Sequence, residues 1–156
     1  MSPEITIEPC TERSDRVYFI DSVVLAAAAL KRDAMHKKAS EILRRLIASG
    51  SKACFSDFIL AETLTLIRFS GRGGAEASNR AHEILTSTKT LELTRLTDRE
   101  LELAAELFKK YPQLSFVDAT TVALMYSRKI KRILSFDQDF DSVPGIERIE
   151  EIGLGR

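Results

Sequence analysis

The chain has 156 residues, 44% of them hydrophobic and 29% charged, which suits one folded domain with its own core and leaves little room for a second. Its 23 Lys and Arg balance 23 Asp and Glu. That balance excludes a protein that coats nucleic acid through bulk positive charge, but it allows a local basic rim around an acidic pocket.

Two cysteines, Cys10 and Cys54, form no CxxC pair, and the histidines are His36 and His82. This supply argues against zinc and gives the two histidines ordinary surface or packing roles. The N-terminal Met-Ser-Pro-Glu opens no cationic-then-apolar leader, and the apolar run at residues 23–30 is too short to cross a bilayer. The expectation is a cytoplasmic protein with no membrane partner.

Residues 1–15, with two prolines and several charges, read as an N-terminal arm with one extended piece at Ile5-Thr6-Ile7. Residues 16–150 read as a single domain and 151–156 as a tail. Val17-Tyr18-Phe19-Ile20 is a continuous β-branched and aromatic run, the pattern of a central parallel strand, and Asp21 arrives where it ends. Residues 22–30, rich in alanine, predict a helix. A second covers 34–48, with Ala39, Ile42, Leu43, Leu46 and Ile47 at three- and four-residue spacings.

Gly50 ends that helix, and Ala53-Cys54-Phe55 is a short strand. Ser56 caps a helix that runs to Gly71, with Ile59, Leu60, Thr63, Leu64 and Ile67 along it. Gly73-Gly74 is a break, followed by a helix over 75–85 and a strand at 90–94. Thr97-Asp98-Arg99-Glu100 has the form of a capping box, and Pro112 marks a turn. Ser115 starts a helix to residue 127, Ile133-Leu134-Ser135 is a strand, 137–141 an acidic turn, and 146–149 an edge strand. Strands alternating with helices in this way predict an α/β fold, a central and mostly parallel sheet flanked by helices in three layers.

Four acids stand out, each with a plain structural reading beside the functional one. Asp21 and Asp137 each follow a strand, where open α/β sheets bind ligands; either also serves as a cap or turn residue. Glu62 sits at the border of an apolar helix stripe, where a solvated glutamate is common. Asp118 has capping-box spacing from Ser115. If these segments converge, unpaired carboxylates crowd one cleft and raise one another's proton affinity. A hard cation relieves that repulsion and binds phosphate, and an all-oxygen donor set suits magnesium.

In order and context these acids resemble the PIN-domain ribonucleases, especially the small toxins of the VapBC toxin–antitoxin class. The resemblance rests on Phe19-Ile20-Asp21-Ser22, Leu60-Ala61-Glu62-Thr63 and Leu114-Ser115-Phe116-Val117-Asp118-Ala119. It rests most on Ile133-Leu134-Ser135-Phe136-Asp137-Gln138-Asp139-Phe140, continuing through Val143-Pro144-Gly145, and it runs from about residue 17 to 149. It implies that Asp21, Glu62, Asp118 and Asp137 are catalytic and bind Mg2+ or Mn2+, with Asp139 an auxiliary ligand. It also implies hydrolysis of RNA phosphodiester bonds, a homodimer, and inhibition by a small antitoxin protein.

One departure matters. Val23 stands where the family has a polar residue, which supports a second reading as a catalytically weak or inactive PIN-like protein that binds RNA or another partner. Ser22, Ser135, Arg68 and Arg72 are candidates for substrate contact, the arginines also being ordinary helix-end charges. Lys129, Lys131 and Arg132 form a small basic patch for solubility or backbone positioning.

Overall fold

The computed structural model describes residues 16–153; the Ile5-Thr6-Ile7 segment lies outside them. The first strand, β1 (Val17–Ile20), is buried at all four positions, which is why it needs an apolar side chain at each. Asp21 then caps α1 (Ser22–Ala29), accepting the Ser22 N–H. Helix α2 (His36–Ala48) buries Ala39, Ile42 and Leu46. It starts two residues later than its apolar pattern suggests, because Asp33 accepts the Met35 N–H at 2.8 Å and holds a turn there.

Strand β2 (Lys52–Ser56) passes directly into α3 (Asp57–Arg68), where the Ser56 hydroxyl accepts the Ile59 N–H at 3.0 Å. Helix α4 (Gly74–Ser87) follows, then β3 (Leu91–Thr94). The Thr97–Glu100 capping box forms at the head of α5 (Asp98–Lys110), and a second one, Ser115–Asp118, heads α6 (Phe116–Arg128). Strand β4 (Arg132–Leu134) stops one residue short of Ser135. The acidic turn is a 3-10 helix, Gln138–Ser142, pinned by the fully buried ring of Phe140. Strand β5 (Glu147–Ile149) completes the sheet, and Ile152 beyond it is also in the core.

The five strands lie in the order β3-β2-β1-β4-β5, and every pairing is parallel. With six helices flanking this sheet, the three-layer α/β architecture is realised. The chain steps outward from β1 to β2 to β3, then crosses back to place β4 on the other side of β1. That reversal opens a crevice at the carboxyl ends of β1 and β4, where neighbouring connections leave in opposite directions. Asp21 and Ser135 stand there, and the Asp21 N–H extends the pairing by donating to the Leu134 carbonyl at 3.0 Å. At the amino end of the same strands, Arg132 lies over the Tyr18 ring, 4.5 Å from its centroid, which gives this member of the basic patch a structural partner.

Helices α1, α3 and α4 share a small cluster of Ala26, Ile67 and Ala81. The corner between α3 and α4 is tight. Gly73 takes a left-handed φ of 79°, and the Ser78 hydroxyl donates to the Leu64 carbonyl at 2.9 Å. A Cβ on Gly74 would meet the Arg68 carbonyl oxygen at 2.3 Å and that of Ile67 at 2.7 Å. Backbone on both sides leaves no flexible group to yield. Gly74→Ala is therefore expected to destabilise the fold by roughly 1–3 kcal/mol, as overpacking does, read as a lower urea midpoint at unchanged slope. A midpoint equal to that of the wild type would show that the corner relaxes freely.

Candidate active site

Asp21 is 2% exposed at the carboxyl end of the central strand. A buried carboxylate needs hydrogen-bond donors, and two short side chains next to the strand ends provide them. Its Oδ1 accepts the Ser22 N–H at 2.7 Å, and its Oδ2 accepts the Ser135 hydroxyl at 2.7 Å. The oxygen of that hydroxyl in turn accepts the Asp137 N–H at 3.0 Å, so one serine ties the end of β1 to the loop after β4. On the other side, the Ser22 hydroxyl donates to Oε2 of Glu62 on α3 at 2.5 Å.

The remaining two acids are held by the local bonds their spacing suggested. Asp118 completes its capping box, Oδ2 accepting the Ser115 N–H at 2.9 Å while its own N–H donates to the Ser115 hydroxyl at 3.1 Å. Asp137 caps the 3-10 helix, accepting the Asp139 N–H at 2.9 Å. These roles fix the two carboxylates locally, and Asp118 remains close enough to Asp21 and Asp137 for repulsion between them.

Burial pushes the Asp21 carboxyl up to about 7, against the pull of the Ser135 hydrogen bond, and repulsion from Asp118 and Glu62 adds to the rise. Asp118 is likewise raised by burial first, with Asp137 and Glu62 contributing repulsion. Asp118 thus repels Asp21, and Glu62 acts on both, while Asp137 acts on Asp118, although the four come from separate segments.

The other charged candidates are exposed. Asp139 is exposed, and Asp141 is taken by Arg148 at 2.8 Å. Arg68 is exposed at the end of α3, while Arg72 lines a groove with Lys31 and Arg32. Val23 is 36% exposed. What the sequence did not reveal is that Ser22 and Ser135 serve as bridges between acids. Neighbouring hydroxyls at two strand ends are the signal, but their partners are distant in sequence.

The donor set is all oxygen and hard, which fits a magnesium or manganese ion. Among the described residues, no group of three or more His, Cys, Asp or Glu side chains is arranged to hold a metal ion. Magnesium commonly takes one or two carboxylates and keeps several waters, so the chemistry of the set, rather than a closed cage, is the relevant fit. Among the described residues, no helix is long and apolar enough to cross a membrane.

A family model described as the PIN domain matches residues 18–146. The chain is 33% identical over 132 residues to the 23S rRNA-specific endonuclease VapC20 of Mycobacterium tuberculosis, covering 83% of this chain and 95% of that protein. The crystal structure of VapC20, whose description calls it a Sarcin-Ricin loop cleaving toxin, superposes with a TM-score of 0.70 at 31% identity, over 82% of this chain and 95% of that one. Ribonuclease VapC6 of Methanocaldococcus jannaschii is 28% identical over 152 residues, covering 85% of this chain and 96% of its own. A toxin-antitoxin complex from Klebsiella pneumoniae shares the fold, with a TM-score of 0.62 at 18% identity over 86% of this chain and 99% of that one.

The buried acid has a measurable cost. At a pH below 3.8, its usual value, Asp21 is protonated in both the folded and unfolded states and contributes no difference. Between 3.8 and about 7 the folded protein keeps a proton the unfolded chain has lost, so stability falls as pH rises through that window. Asp21→Asn keeps the cap and cannot ionise. In chelator it is expected to melt above the wild type at pH 8, the difference shrinking toward pH 4. Parallel melting curves at all pH values would contradict the burial argument.

Proposed function

The chain belongs to the PIN-domain family, and from that premise we propose that it is a divalent-metal-dependent endoribonuclease with Asp21, Glu62, Asp118 and Asp137 as its catalytic acids. The observation that carries this reading is buried Asp21, at the crevice where the strand order reverses, repelled by Asp118 and Glu62, with Asp137 acting in turn on Asp118. The cations nearby in sequence are spent elsewhere: Arg148 holds Asp141 and Glu150, and Arg128 holds Glu100. Among the described residues none of these four acids forms an ion pair, and carboxylates packed this way suit a bound metal.

Asp21, Glu62, Asp118 and Asp137 would hold Mg2+ or Mn2+, which when bound lowers the pKa of a coordinated water and stabilises charge on the phosphate. The chain's own residues do the positioning. Ser22 and Ser135 fix Asp21, and Ser22 also orients Glu62. The capping box holds Asp118 in the first turn of α6, where it would align an attacking water. Asp139 is proposed as an auxiliary, reached through the Asp137 loop. The similarity to named toxins extends the reading to the toxin half of a toxin–antitoxin pair, inhibited by a small antitoxin. The exposed Leu101, Phe108, Phe116 and Tyr126 of α5 and α6 offer an apolar face for a second copy in a homodimer.

Val23, apolar and partly exposed beside Ser22, favours the second reading, an RNA-binding or interaction protein with weak hydrolysis. Asp118→Asn separates the two. Asn keeps the size and polarity of the cap, and the lost dipole charge costs roughly 0.3–1 kcal/mol, while relief from the neighbouring acids offsets part of it. The mutant is expected to melt close to the wild type in chelator and to lose RNA cleavage by roughly 100-fold or more at saturating magnesium. A folded mutant that cuts at the wild-type rate would take Asp118 out of the chemistry. Wild-type protein that shows no divalent-dependent cleavage above the identically purified mutant would favour the second reading.

A further inference from the structure

The acids account for cleavage but not for how a strand is held beside them. Helices α1 and α3 lead away from the acids together. At one end the Ser22 hydroxyl reaches Glu62; further along, Ala26 packs in one cluster with Ile67. At the far end Leu30 and Ser70 line the same open groove of about 530 Å3 with Lys31, Arg32, Arg72 and Asp33. The two helices therefore run side by side in the same direction. At about 1.5 Å per residue, the groove begins roughly 12 Å from Asp21 along α1 and roughly 10 Å from Glu62 along α3.

Three features of that far end belong together. Lys31, Arg32 and Arg72 face a single carboxylate, Asp33, which is occupied with the Met35 N–H. Among the described residues, none of these three cations, nor Arg68 one turn earlier in the chain, forms an ion pair. Phe69, immediately before Ser70, is 79% exposed, more than any other large hydrophobic side chain among the described residues. The corner that carries it is firm, because the Ser70 hydroxyl donates to the Ile67 carbonyl at 2.7 Å and Gly74 packs on the last carbonyls of α3. An exposed aromatic ring on the residue preceding groove-lining Ser70, with cations free of ion pairs in that groove, combines the two elements with which proteins bind single-stranded nucleic acid with little sequence preference.

We propose that this groove is a subsite for single-stranded RNA flanking the bond to be cut, with phosphates on Arg72, Lys31 and Arg32 and a base stacked on Phe69. The choice of RNA rests on the ribonuclease reading above. An acidic peptide would also satisfy the cations, but the exposed ring and the direct line along α1 and α3 to the acids favour a nucleic-acid strand. The net charge of the whole chain is zero, so this local excess of positive charge supplies the attraction that the chain as a whole lacks.

The test measures binding of a short fluorescent single-stranded RNA in chelator, where no cutting is needed, at low and moderate salt. Phe69→Ala is expected to weaken binding about tenfold, and Phe69→Tyr to retain it. Lys31→Glu combined with Arg72→Glu is expected to weaken it at least as much and to flatten its salt dependence. All three proteins change exposed side chains, and melting curves establish that they are folded. With magnesium, the same losses should appear in KM and leave kcat nearly unchanged.

Wild-type protein that binds no RNA, or folded Phe69 and charge-reversed variants that bind it normally, would overturn the proposal. So would charge reversal that abolishes binding of a glutamate-rich peptide and leaves RNA untouched. The nuclease reading fails separately. If the wild type cuts nothing while the groove variants lose RNA binding, the groove stands and the catalytic assignment falls.

Discussion

A carboxylate placed at the end of the central strand, out of reach of water, constrains everything around it. Burying an ionised group costs several kcal/mol, while each hydrogen bond to a charged group returns about 1.5–3 kcal/mol. Asp21 receives short bonds from the Ser22 N–H and the Ser135 hydroxyl, yet its proton affinity still rises to about 7. Burial and repulsion outweigh the donors. The surroundings explain why the group is nevertheless tolerated. Ser135 lies beside it because β4 pairs with β1, and Ser22 lies beside it because α1 starts at once.

The same serines couple the site to the fold. Ser22 passes the constraint to Glu62 on α3, and Ser135 passes it to the backbone of Asp137. The loop after β4 is further held from below by Phe140 and from the side by Arg148, which bonds Asp141 and the Ser135 carbonyl. An exposed pair of this kind contributes little stability by itself. Here it fixes the path of a loop whose neighbouring residues carry the acids.

Structural and chemical uses of a residue prove compatible at this site. Asp118 is a capping residue in full geometric detail, and it also acts on the other carboxylates. Capping anchors the carboxylate to the first turn of a helix, so its position does not depend on a mobile side chain. Asp137 repeats the pattern on a 3-10 turn. Local hydrogen bonding thus supplies the rigidity that the proposed binding of a small hard cation would require.

Much of the architecture follows from local chemistry and was legible in the chain itself. The run Val17-Tyr18-Phe19-Ile20 has no polar side to show to water, so it had to be a strand covered on both faces. Ser56, Thr97 and Ser115 announce helix starts because each offers a hydroxyl to orphan N–H groups. The acids at strand ends and their resemblance to a family pointed to one cleft before any geometry was known. The partners of those acids were not legible. That Ser22 reaches Glu62 at a sequence separation of 40, or that Ser135 donates to Asp21 at a separation of 114, depends on which strands become neighbours. The 3-10 helix at Gln138–Ser142 looked like a turn because nothing local says that Phe140 will be buried. Arg72 reads as a candidate for phosphate contact, but nothing local says that it will line one groove with Lys31 and Arg32. Secondary structure is written in spacing and hydrogen-bond chemistry within a few residues. Long-range partners are decided when the sheet order β3-β2-β1-β4-β5 forms, because that order alone brings the ends of β1 and β4 side by side.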